Sequence, residues 1–166
     1  MSRFVTALAL ALLLASCGRS GGGGQHAGSG AACALIAQPE SLFGAGVQSI
    51  AAGDVGAGSC RWESTDGRRG GDVILYDAAS LGNVAPHDFV AQTAQRWGAA
   101  QPDYPIEAVN GLGDEAQMAN HLPGYQTQIV FRKGERVVTL LAWSGDPAMS
   151  GEQLARRMAQ AAASAP

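Results

Sequence analysis

The residues able to do chemistry in this chain are few: three cysteines (Cys17, Cys33, Cys60), three histidines (His26, His87, His121) and an acidic turn at Asp114-Glu115. Their spacing excludes more than it supports. No Cys-x-x-Cys pair is present, so thiol redox chemistry has no motif. No close cysteine or histidine pair is present to complete four zinc ligands, so no metal is expected. His26 sits alone among glycines and reads as solvated. His87 lies beside Asp88 and His121 near Pro123, neither with a partner at catalytic spacing, and no serine occupies a Gly-x-Ser-x-Gly elbow. Only residues converging from distant segments could form a catalytic set, so the expectation is a protein that is not an enzyme. Gly111-x-Gly113-x-x-Ala116 matches the loosest dinucleotide fingerprint, but that fingerprint must open a helix, and Gln117 to Pro123 does not read as one. It is expected to be a tight turn, with no cofactor. Asp114 and Glu115 lack the regular oxygen-ligand loop that calcium needs and read as a solvated acidic turn.

Cys17 is explained by what precedes it. Residues 1–16 carry one cation, Arg3, and then an apolar run from Phe4 to Leu14. That run is shorter than the roughly 20 residues that span a bilayer and fits the core of a secretory signal. It ends in Leu14-Ala15-Ser16-Cys17, which resembles a bacterial lipobox. In such a box small residues give the peptidase access, and the cysteine thiol takes a diacylglyceryl group. The expectation is that Cys17 becomes the lipidated first residue of the mature protein and attaches it to the membrane. The rival reading is an ordinary cleaved signal with an incidental cysteine. Residues 17–31 form the lipidated cysteine and a Gly/Ser-rich flexible linker.

Residues 32–166 are long enough for one domain with a real core. The net charge of −3 is spread over interspersed acids and bases, with no basic stripe, so nucleic acid is not an expected partner.

The elements that must position these residues can be read in order. Cys33 to Ile36 reads as an apolar turn. Gln38 to Gly44 reads as a short helix, with Pro39 at its first position, Glu40 in the first turn and Gly44 as the stop. Residues 44–58 read as loop. Ser59 to Ser64 is a strand, with Cys60 and Trp62 on one face and Arg61 and Glu63 on the other. The turn Asp66 to Gly71 joins it to a second strand, Asp72 to Tyr76. Pro86 to Trp97 is a helix with Phe89, Val90, Thr93, Ala94 and Trp97 on one face, ended by Gly98. Ile106 to Val109 is a short strand, and Glu115 to Asn120 is extended. Tyr125 to Arg132 and Glu135 to Trp143 form a hairpin around Lys133-Gly134. Val137 to Ala142 is apolar on both faces apart from Thr139, which requires a central strand covered on both sides. A last helix starts at Ser150, with Gln153 completing a capping box. Leu154 and Met158 mark its buried stripe.

With Cys17 lipidated, Cys33 and Cys60 remain as a pair in an exported domain, and an oxidising compartment implies that they are bridged. Closing that loop contributes roughly 3–4 kcal/mol in the chain-entropy account. The fold class is therefore α+β: an antiparallel sheet with helices on its faces and one disulfide. Trp62, Trp97 and Trp143 all fall on faces expected to be buried. Phe89, Trp97 and Trp143 are also the candidates for lining a ligand cleft.

Cys33-Ala34-Leu35-Ile36, Cys60-Arg61-Trp62 and Gly111-Leu112-Gly113-Asp114-Glu115-Ala116, followed by a hairpin and a closing helix, resemble a large family of small bacterial lipoproteins of unassigned function, abundant in actinobacteria. The resemblance covers nearly all of the mature chain. It implies a Cys33–Cys60 bridge and an α/β sandwich similar to the PsbP-like fold, and no catalytic residues. The first helix lacks the Thr-x-x-Glu cap usual in that family. The expected function is a non-catalytic binding or scaffold module, exported and lipid-anchored to the cell envelope, contacting another envelope protein. The alternative is a carrier or sensor of a small apolar ligand or lipid held between the sheet and the Phe89/Trp97 helix. A closed core would favour the scaffold, a cavity the carrier.

Overall fold

The computed structural model describes residues 27–50, 58–122 and 126–166. Cys17, His26, the signal segment and most of the linker lie outside them, as does the side chain of His121. In chain order the elements are α1 (Ala27–Ala34), α2 (Glu40–Phe43), β1 (Gln48–Ile50), β2 (Ser59–Glu63), β3 (Arg69–Tyr76), α3 (Ala78–Leu81), α4 (Pro86–Ala100), β4 (Ile106–Ala108), β5 (Glu115–Leu122), β6 (Gln126–Lys133), β7 (Arg136–Ser144) and α5 (Gly151–Ser164).

The strands form one antiparallel seven-stranded sheet in the order β1-β2-β3-β7-β6-β5-β4. The α+β class and the bridge follow the sequence reading. β7, apolar on both faces, takes the middle place. Its even residues Val138, Leu140 and Ala142 join a large core under α5, while Val137 joins a smaller cluster under α4. In β2 the buried Cys60 and Trp62 face the α5 side, and Arg61 faces away. Trp62 stacks on Phe43, their ring centroids 6.2 Å apart.

α5 forms where the sequence places it. Ser150 Oγ accepts from Gln153 N–H, and Gln153 Oε1 accepts from Ser150 N–H, so two otherwise unpaired end donors are satisfied. Leu154, Ala155, Met158, Ala159 and Ala162 form its buried stripe. The Cys33–Cys60 disulfide spans 27 positions and ties α1 to β2 on this same side.

Several local expectations are corrected. Cys33 lies within helix α1, not an apolar turn, and α1 takes in residues 27–31 that the composition assigns to the linker. α2 starts one residue later than expected, at Glu40, with Pro39 as its N-cap. The supposed loop 44–58 contains β1, three residues whose pairing with β2, not any propensity of their own, makes them strand. β3 starts at Arg69, because Gly70 and Gly71 are paired with Trp143 and Ala142 of β7. α4 does not stop at Gly98. It runs to Ala100, closed by Gln101 N–H donating to Trp97 O at 3.0 Å, and the bare Gly98 faces Ile106 of β4. The β6–β7 pairing brackets Gly134-Glu135, with Lys133 opposite Arg136, one residue later than expected. Gly134 has φ of +61°, which a side chain would resist.

Candidate functional site

The two sides of the sheet are covered unequally. α1, α2 and α5 close one side. On the other, α4 packs over β5 and β6 and reaches β7. Between α4 and β3 lies a groove of about 280 Å³. Ile74 and Tyr76 of β3 and Thr139 and Leu141 of β7 face it from the sheet, and Phe89, Thr93, Arg96 and Trp97 from α4. These positions share the groove because alternate strand residues point to one face, while Phe89, Thr93, Arg96 and Trp97 recur at helical spacing.

Phe89 and Trp97 thus line a groove together, as the sequence suggests. Both are half-buried, and Phe89 packs on Tyr76 at 4.8 Å. Trp143 does not line it. Its ring lies on Gly70, where any side chain would overlap it, with the Arg61 guanidinium 5.9 Å from the ring centre. Of the three tryptophans only Trp62 is fully buried, so the expectation of burial fails for Trp97 and Trp143. The reason is that, among the described residues, no helix lies above the half of the sheet carrying Trp143. Tyr76, Arg96, Thr139 and Leu141 are groove residues that sequence reasoning did not single out. Arg96 was detectable in principle, seven positions after Phe89 on the same helix side.

Charge in the groove is uneven. Asp72 is held by two hydrogen bonds from Arg61, the Nη2 one at 2.7 Å. Arg96 has no carboxylate partner among the described residues. Its Nη2 donates to Thr93 Oγ1 at 3.1 Å and its Nε to Gln92 O at 3.3 Å, with the guanidinium 5.8 Å from the Phe89 ring.

A second polar cluster sits elsewhere. His87 Nδ1 lies 2.7 Å from Glu115 Oε2, so a distant acid does meet this histidine. The carboxylate can only accept, so Nδ1 carries the proton in this contact. Glu115 Oε1 accepts from Arg132 Nε at 2.7 Å, and Arg132 Nη1 also donates to Asp114 at 2.9 Å. Asp114 accepts from Gly134 N–H at 2.8 Å. Burial pushes the Glu115 carboxyl up, but hydrogen bonds and charge from Arg132 and His87 outweigh it and hold the group below the ordinary carboxylate value. This cluster clamps α4, the Gly111–Ala116 turn and the β6–β7 hairpin together. His87 is 71% exposed at its side chain and lies outside the α4 groove.

The Gly111–Ala116 segment leads into β5, a strand, and so lacks the helix of a dinucleotide site. Instead it inserts the buried Leu112 into the core. Gly113 (φ +61°) lies so close to the Arg132 carbonyl that no side chain fits. Among the described residues no group of three or more His, Cys, Asp or Glu could hold a metal ion, and no helix is long and apolar enough to cross a membrane. Comparison with protein-family models and with curated proteins gave no match.

Proposed function

We propose that this chain is an exported envelope protein, anchored by lipid on Cys17, that works as a non-catalytic binding module through the groove between α4 and the sheet. The observation that carries the reading is that groove: a concave site of about 280 Å³ with three aromatic side chains, Tyr76, Phe89 and Trp97, on its walls. Its volume falls just below the ~300–1,000 Å³ usual for small-ligand sites. It weighs toward the ligand-holding alternative rather than the pure scaffold. The lipobox-like Leu14-Ala15-Ser16-Cys17 and the resemblance to small envelope lipoproteins support the anchor.

Two measurements test the reading. Labelling of cells with an alkyne fatty acid is expected to mark the wild-type protein and not Cys17→Ala; equal labelling of both removes the anchor. Native mass spectrometry of protein taken from its own host is expected to show an added mass that Thr139→Phe, which fills the groove, abolishes. Only apo mass in both samples sinks the groove as the binding surface. The scaffold reading draws on a different observation, the partly exposed Arg61 of β2 and Trp143 of β7, which lie on a part of the sheet that no described helix covers. It predicts that Arg61→Ala, and not Thr139→Phe, loses a crosslinked envelope partner.

A further inference from the structure

We propose that the ligand of the α4 groove is a single-chain amphiphile with an anionic head, a fatty carboxylate, seated with its head at Arg96. The inference rests on the groove being the binding surface and adds the chemistry of what fills it. Charge decides the head. Asp72, the acid of the groove, is neutralised by the paired hydrogen bonds from Arg61, whereas Arg96 meets only a threonine hydroxyl and a backbone carbonyl. The groove therefore carries one uncompensated positive charge among the described residues. An arginine offers a carboxylate two parallel donors, and Arg96 uses them here on neutral acceptors that a charged one would displace. Side-chain chemistry decides the tail. Ile74, Tyr76, Phe89, Trp97 and Leu141 give one apolar channel, too small for a ligand with two full chains. Gln128 and Thr139 place amide and hydroxyl groups in the same lining, which a wholly apolar ligand would leave unpaired.

The test uses dodecanoate below its micelle concentration, titrated calorimetrically into the mature protein, with butyrate and dodecyltrimethylammonium as controls. Dodecanoate is expected to bind and to change the emission of Trp97. Butyrate should not bind, and the cationic amphiphile should bind about tenfold more weakly or worse, the scale of one charge-assisted contact. Arg96→Gln should weaken dodecanoate about tenfold with an unchanged unfolding midpoint, since Arg96 is exposed. Thr139→Phe should abolish binding. If both amphiphiles bind equally and Arg96→Gln is silent while Thr139→Phe still blocks binding, the anionic head is wrong and the groove stands. If dodecanoate does not bind, or binds Thr139→Phe as well as wild type, the proposal falls, and in the second case the groove falls with it.

Discussion

One face of the sheet is closed and the other is half open, and the same strands build both. Under α5, Phe43, Leu154 and Met158 are at most 1% exposed, and a disulfide pins α1 to β2 on the same side. Under α4, Val90, Val130 and Val137 make a small buried cluster, while Tyr76, Phe89 and Trp97 stay half-buried around the groove. The larger buried cluster lies on the first face and the smaller on the second.

The largest effect expected is on the closed face. Replacing both Cys33 and Cys60 with alanine should lower unfolding free energy by about 3.5 kcal/mol, read from urea titration, by the loop-entropy account. Leu154→Ala should cost about 2–5 kcal/mol, as deletions in packed cores do. Trp97→Ala, on the open face, should cost clearly less; equal losses would erase the contrast between the faces.

The adjacent glycines of β3 sharpen it further. Gly71 points at the closed face, where an added Cβ would lie 2.5 Å from Met158 Cε and 2.9 Å from the Leu141 carbonyl oxygen. Gly70 points at Trp143 on the open face. Gly71→Ala should destabilise by about 2–3 kcal/mol. Gly70→Ala should cost under about 1 kcal/mol, because the indole can swing into solvent and the unfolded chain loses entropy. A red shift of tryptophan emission in Gly70→Ala alone would register that swing.

Two smaller effects complete the series. Ser150→Ala should cost about 1 kcal/mol by removing half of the capping box, measurable as a lowered thermal midpoint. Glu115 has a folded pKa below its unfolded value, so its stabilisation is present above the ordinary carboxylate range and lost as pH falls through the folded pKa. Glu115→Gln should flatten the acid side of the stability curve and leave the disulfide contribution untouched. An unchanged acid limb would show that the Glu115–Arg132 contact does not contribute.

How much of this was legible in the sequence depends on which physical signal marks each part. The closed face was legible: the Cys60/Trp62 alternation and the Ser150–Gln153 box are local patterns that formed as read, and the apolar run of β7 did mark the central strand, though Thr139 and Leu141 on its second side stay only half-buried along the groove. β1 and α3 were not, since three- and four-residue elements owe their form to neighbours. Half of the groove was legible from Phe89 and Trp97 on one helix. Its other wall needed the β3–β7 pairing, a contact between segments more than sixty positions apart (Ile74 with Thr139). Trp143 was misplaced for the same reason: an apolar residue on a strand reads as buried unless one knows that no helix among the described residues lies above it. The His87–Glu115 contact joins a helix to a distant strand, and no spacing rule announces it.

The bridge between α1 and β2 also determines how the domain bears a pull on its N-terminal end. Tension entering at α1 passes through the Cys33–Cys60 sulfurs to β2, the second strand from one edge of the sheet, and bypasses α2 and β1. Optical-tweezer extension from the N-terminal side should therefore lengthen by about 90 Å more per unfolding event in reductant than in its absence, the reach of the 27 positions the bridge withholds. Equal extensions under both conditions would mean that the load takes another path.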